Sequence, residues 1–135
     1  MAKNIIADSS VLVALVRHDD QAHSWASTQA RHLRAPWLTC EAVLSEAFFV
    51  AGHAVRPKLA EMLRRRLLVC FFNFGLHSEP VLDLMDKYAD VPMSLADACL
   101  VRMTEILPDP VVVTTDSDFR HYRRHSRQVI PCLMP

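Results

Sequence analysis

Two short apolar runs lie more than a hundred residues apart, and each delivers an aspartate: Lys3-Asn4-Ile5-Ile6-Ala7-Asp8 near the start and Val111-Val112-Val113-Thr114-Thr115-Asp116 towards the end. Branching at Cβ suits Val, Ile and Thr to extended backbone, and a run without polar alternation fits a strand buried on both faces. The pattern predicts two core strands whose C-terminal ends carry Asp8 and Asp116. In open parallel sheets, ligands bind in the crevice beyond those ends. A fold that makes the two strands near neighbours therefore faces both carboxylates into one cleft.

Between the runs, helical and strand-like segments alternate. Ser9–Val16 is apolar almost all round, as expected of a helix pressed against a sheet. A more polar helix is predicted from Asp20 to His32. Pro36 excludes helix around Arg34–Trp37, which reads as a short strand, and Thr39 stands where an N-cap would open the next helix, running to Gly52. Arg56–Leu67 has amphipathic helical spacing, and Leu68–Phe72 reads as a strand. A helix from Glu79 to Ala89 is broken at Val91-Pro92, because proline disfavours helical geometry in the residue before it. The next begins at Ser94 and is stopped by Pro108 and Pro110; a last short strand covers Gln128 to Pro131. Alternation of this kind implies parallel pairing and a sheet covered on both faces. No repeat, low-complexity segment or linker interrupts the 135 residues, which suffice for one core without disulfides or structural metals.

Several function classes find no support in the composition. No stretch reaches the roughly 20 uninterrupted apolar residues of a membrane span, and the apolar run after Met1-Ala2-Lys3-Asn4 is too short for a signal peptide, so a cytoplasmic protein is expected. Cys40, Cys70, Cys99 and Cys132 form no Cys-x-x-Cys pair and have no histidine at finger-like spacing, so they read as reduced, mostly buried thiols. His121 and His125 would share a helical face as a solvated pair. Acidic and basic residues balance at fifteen each, and net charge alone makes no case for a nucleic-acid partner. The basic residues are mainly arginine, gathered at Arg64–Arg66 and Arg120–Arg127. The planar guanidinium suits phosphate, but the same excess follows from codon bias, and Arg64–Arg66 also reads as a solvated helix face.

A second pair of acids stands out by helical spacing. Around Glu46 the residues three and four away are Ala42, Val43, Phe49 and Val50, and Asp97 has Leu100 and Val101 on its own face. A carboxylate buried there takes up a proton or finds a cation. Converging carboxylates make a divalent ion the natural cation, with hard oxygen donors favouring Mg²⁺ or Mn²⁺ over zinc. Structural readings stand beside this one. Asp8 would cap the helix after it, Ser94-Leu95-Ala96-Asp97 fits a capping box, and Asp116 and Asp118 fit turns. Glu46 has no such alternative.

The ordered set Ile6-Ala7-Asp8-Ser9-Ser10, Ser45-Glu46, Leu95-Ala96-Asp97-Ala98 and Thr114-Thr115-Asp116-Ser117-Asp118-Phe119 resembles PIN domains, and among them the VapC-type toxins of bacterial toxin–antitoxin pairs. The resemblance implies an α/β fold of three α/β/α layers, with a central, mainly parallel sheet of four or five strands, in a single nuclease domain over 1–135. It implies that Asp8, Glu46, Asp97 and Asp116 are catalytic. Asp8, Asp97 and Asp116 would hold the metal, with Asp118 as a variable extra, and Ser9, Ser10 and Thr114 would give supporting hydrogen bonds. Ser9 departs mildly from the threonine common in the family but keeps the hydroxyl. The implied activity is endonucleolytic cleavage of RNA, with a cognate antitoxin that blocks the cleft with a basic side chain, and a homodimer. Apolar exposed helices in the N-terminal half would be the antitoxin's landing surface.

Phosphodiester hydrolysis demands neutralisation of the phosphate and activation of water, which divalent ions provide. Glu46 would bind a second ion through water or orient the attacking water, and Arg102 or the arginine clusters would hold flanking phosphates. Alternatives are an inert PIN-like RNA-binding or protein-interaction module and a non-toxin RNA-processing nuclease. A phosphoacceptor receiver domain also gathers acids at strand ends but needs a late lysine, and no lysine follows Lys87.

Overall fold

The structure is a computed structural model and describes residues 3–135, so the Met1-Ala2 start lies outside it. The two aspartate-bearing runs form strands β1 (Asn4–Ala7) and β4 (Pro110–Val113). They lie side by side in parallel, with Ile5 opposite Val111, Ile6 opposite Val112 and Ala7 opposite Val113. Successive side chains on a strand point to opposite faces, and Ile5, Ile6, Ala7 and Val111–Val113 are all buried. Both faces of the sheet are therefore covered, as the unbroken apolar runs require.

On the other side of β1 lie β2 (Trp37–Thr39) and β3 (Leu68–Cys70), and β7 (Cys132–Leu133) pairs with β4. The result is a five-stranded, all-parallel sheet in the order β3-β2-β1-β4-β7. The chain winds outward from β1 to β3 and then returns to place β4 against the opposite edge of β1. The direction of winding reverses between β1 and β4, and such a switch point opens a crevice beyond the strand ends.

Helices α1 (Ser9–Val16), α2 (His23–His32), α3 (Glu41–Ala51), α4 (Arg56–Arg64), α5 (Phe74–Lys87) and α6 (Leu95–Ile106) supply the outer layers. Helix α1 buries Val11, Leu12, Val13, Ala14 and Val16, in keeping with its apolar composition. Gly52, at φ 90°, ends α3 where an L side chain would be strained. No helix among the described residues is long and apolar enough to cross a membrane.

Local expectations fail at four places. Thr39 belongs to β2 and donates its hydroxyl to the Ala7 carbonyl at 3.0 Å, leaving Cys40 as the N-cap of α3. Helix α5 starts at Phe74, ahead of Glu79, because a kink at His77 lets it run on through Pro80. The expected final strand over Gln128 to Pro131 shortens to Gln128–Val129 (β6), which pairs antiparallel with Arg123–Arg124 (β5) in a separate hairpin, and the strand that joins the main sheet is Cys132–Leu133, just beyond it. His121 and His125 share no helix, since His121 closes a 3₁₀ turn over Ser117–Arg120 and His125 lies in the hairpin turn.

Central placement of β1 has a measurable consequence. Ile6 is wholly buried between its neighbours, and Ile6→Ala should cost about 2–5 kcal/mol. Urea denaturation checks this, and a loss below about 1 kcal/mol would contradict a central β1.

Candidate active site

Because Ala7 and Val113 are in register, the next residues leave the sheet together at the switch point. Asp8 therefore faces Thr114, and Thr114 Oγ1 donates to Asp8 Oδ2 at 2.6 Å. Ser10 Oγ also reaches Asp8 Oδ2, at 3.1 Å, and accepts from the Thr115 backbone N–H at 3.0 Å. Asp8 Oδ1 accepts from the Ser9 backbone N–H at 2.7 Å, which caps α1. Ser9 Oγ lies 3.2 Å from Glu46 Oε1 and 3.5 Å from Asp8 Oδ1, linking α3 to the strand end. Thr114 Oγ1 accepts from the Asp116 backbone N–H at 2.9 Å, and Asp116 Oδ1 in turn accepts from the Asp118 backbone N–H at 2.9 Å.

Asp97 enters from α6. It completes a capping box with Ser94, and its Oδ2 accepts both the Ser94 backbone N–H, at 3.1 Å, and the Tyr122 hydroxyl, at 3.2 Å. The structural readings of Asp8, Asp97 and Asp116 as caps or turn residues are thus realised too, on some of their oxygens. Asp97 Oδ1, Asp116 Oδ2 and Glu46 Oε2 accept no hydrogen bond from the described residues. No buried side-chain oxygen or nitrogen among those residues lacks a partner, so these three atoms reach solvent in the cleft.

Electrostatics tie the acids together. Asp8, only 4% exposed, and Asp97, 8% exposed, both titrate above the usual aspartate range. Burial is the main cause, and the charges of Asp116 on both groups and of Asp8 on Asp97 add to it. The Tyr122 phenol is likewise held well above its ordinary value, first by burial and then by Asp97, Asp118 and Asp116, so it stays a proton donor.

Ion pairs among the described residues join Lys3 to Asp109, Arg17 to Asp19, Arg65 to Glu61 and Arg102 to Glu105. None reaches Asp8, Glu46, Asp97, Asp116 or Asp118. Carboxylates gathered without a cation, offering uncommitted hard oxygen atoms, fit a divalent ion such as Mg²⁺ or Mn²⁺. No three His, Cys, Asp or Glu side chains among the described residues stand close enough to form a ready-made ligand set.

Two sequence arguments need correction in detail. Glu46 is only half-buried, because Phe49, 88% exposed, and Val50 point outward from α3. Arg102 donates to Glu105 at 3.1 Å and to His77 at 3.3 Å, so its guanidinium braces α5 against α6. Tyr122 was invisible to sequence reasoning: it lies 25 residues from Asp97 within an arginine-rich stretch, with no periodicity to mark it as buried. An apolar depression lined by Leu15, Leu33, Trp37, Met62 and Leu67 contributes none of the acids.

The PIN domain family matches residues 5–125, a span that takes in all five acids. The chain belongs to the PIN domain family. Among solved structures, this PIN domain is similar to VapC20 of Mycobacterium tuberculosis, described as a toxin that cleaves the sarcin-ricin loop. The TM-score is 0.71 at 19% identity, over 85% of this chain and 92% of that one. At that identity the likeness speaks for the fold. No curated protein matches the sequence.

The buried charge of Asp8 makes a prediction for the metal-free PIN domain. Its folded-state pKa lies above the unfolded value, so the folded form holds the proton more tightly. Stability is then fully present below the unfolded pKa and is lost as pH rises through the folded one. Asp8→Asn should flatten the fall of the melting temperature above pH ~4 in EDTA, as scanning calorimetry across pH would register. A fall as steep as that of the wild type would refute the assignment.

Proposed function

We propose that residues 1–135 form a single PIN-like nuclease domain, a metal-dependent endoribonuclease that serves as the toxin of a toxin–antitoxin pair. The observation that carries this reading is the gathering of Asp8, Glu46, Asp97, Asp116 and Asp118 around the β1/β4 switch point with no ion pair to any of them among the described residues. Family membership supports a nuclease, and the structural likeness to a toxin that cleaves the sarcin-ricin loop supports an RNA substrate and a toxin's role.

Asp8, Asp97 and Asp116 would hold Mg²⁺ or Mn²⁺, with Asp118 beside them. When bound, the ion supplies Lewis acidity and charge neutralisation at the scissile phosphate. Ser9, Ser10 and Thr114 fix the orientation of Asp8 by hydrogen bonds to both of its carboxylate oxygens. Glu46 keeps Oε2 free to orient a water or to reach a second ion through water. Arg102, whose Nε and Nη1 donate to His77 and Glu105, would offer Nη2 to a flanking phosphate. A cognate antitoxin and a second copy of the chain are the expected partners, in the cytoplasm. The outward Phe49 and Val50 on α3 offer apolar surface for such contacts.

Asp8→Asn and Asp97→Asn should each fold and lower RNA cleavage by more than the roughly hundredfold typical of losing an outer-shell partner. Cleavage of total RNA in Mn²⁺, read by end mapping, tests this; wild-type rates in either variant would defeat the reading. Expression of the chain alone should slow growth, and the Asp97→Asn variant should not. Normal growth with active wild-type enzyme would favour a role in RNA processing.

A further inference from the structure

Asp97 is the acid most completely held on one side. Both of its bonds fall on Oδ2, one from the Ser94 backbone N–H at 3.1 Å and one from the Tyr122 hydroxyl at 3.2 Å. Without a second donor, a carboxylate anchored by a single cap bond turns about its Cβ–Cγ bond, a broad and soft torsion. Two donors on the same oxygen remove that freedom and leave Oδ1 as the atom presented to the cleft.

The phenol is itself rigidly placed. Tyr122 is fully buried, and its ring packs edge-on to Phe119 and Tyr88, each with centroids 5.2 Å away. Tyr88 is tied down in turn, because its hydroxyl accepts the Arg123 backbone N–H at 2.9 Å. The segment around Tyr122 is anchored through Arg124, whose guanidinium donates to the Thr104 carbonyl of α6, and through His125, whose backbone N–H donates to Glu105 at 2.8 Å. The hairpin after the acidic 3₁₀ turn is thereby clamped to the helix that carries Asp97.

We infer that Tyr122 is a positioning residue for Asp97, holding Oδ2 by a hydrogen bond so that Oδ1 is preset to coordinate the divalent ion. The inference rests on the proposed metal-dependent function and adds to it a residue that contacts neither ion nor substrate. Loss of an outer-shell partner of this kind commonly lowers metal affinity or activity by about 10–100-fold.

The test uses the full chain and its only two tyrosines, Tyr88 and Tyr122. With ¹³Cζ-labelled tyrosine, Tyr122→Phe identifies the Tyr122 resonance by its loss. Titrating Mg²⁺ into the wild type should move that resonance with the same midpoint as calorimetric binding. Tyr122→Phe should keep its melting temperature close to wild type, bind Mg²⁺ and Mn²⁺ at least about tenfold more weakly and cleave RNA with lower kcat and unchanged KM. If the wild type binds the ion while the Tyr122 resonance stays still, or if Tyr122→Phe binds and cleaves as the wild type does, the positioning role is overturned and the nuclease reading survives. If the wild type binds no divalent ion, the metal-dependent reading fails and takes this inference with it. Should Tyr122→Phe prove unstable, Tyr88→Phe leaves Tyr122 as the one tyrosine signal, and that resonance must move with Mg²⁺ at the calorimetric midpoint; a still resonance with the ion bound overturns the inference.

Discussion

Everything in the acidic cleft hangs on the parallel pairing of β1 with β4. The register that sets Ala7 against Val113 makes Asp8 and Thr114 leave the sheet side by side. A slip of one residue would turn each side chain to the opposite face. Asp8 would then lose the 2.6 Å bond from Thr114, and with it the link that relays orientation to Asp116. That register is secured by burial on both faces: Ile5, Ile6 and Ala7 of β1 and all of β4 are buried, and the one polar residue, Asn4, stands at the strand's start.

The cleft is a compromise between folding and charge. The hydroxyls of Ser9, Ser10 and Thr114 and the backbone N–H groups of Ser9, Ser94 and Asp118 satisfy particular carboxylate oxygens. They do so without supplying positive charge, so the field of the carboxylates persists into the solvent. Arginines are plentiful in the chain, yet those near α6 spend their donors on Glu105, His77 and backbone carbonyls. A salt bridge at Asp8 or Asp97 would stabilise the fold and remove the feature that makes the site chemically useful. Natural proteins commonly accept such local conflicts where function resides.

The strands bearing Asp8 and Asp116 were legible because β-branched runs advertise burial on both faces, and the switch point followed once their adjacency was known. The capping role of Asp97 was legible from Ser94, three residues before it. Glu46 was noticed for a partly mistaken reason. Apolar neighbours on a helix imply burial only if that face meets the core, and α3 instead turns Phe49 and Val50 outward. Thr39 misled because a short strand and an N-cap favour the same residue, and the tie was broken by a carbonyl 32 residues away, that of Ala7. Tyr122 could not be found at all from local pattern, since its partners come from α5, α6 and the 3₁₀ turn.

The order of the strands also governs when the acidic site can assemble during synthesis. Asp8 leaves the ribosome well before its facing strand and Asp116, which follow more than a hundred residues later. Long-range pairing of this sort forms late. A nascent chain that stops short of β4 therefore carries isolated carboxylates and no assembled centre, and the site waits for the segment that holds Val113 and Asp116.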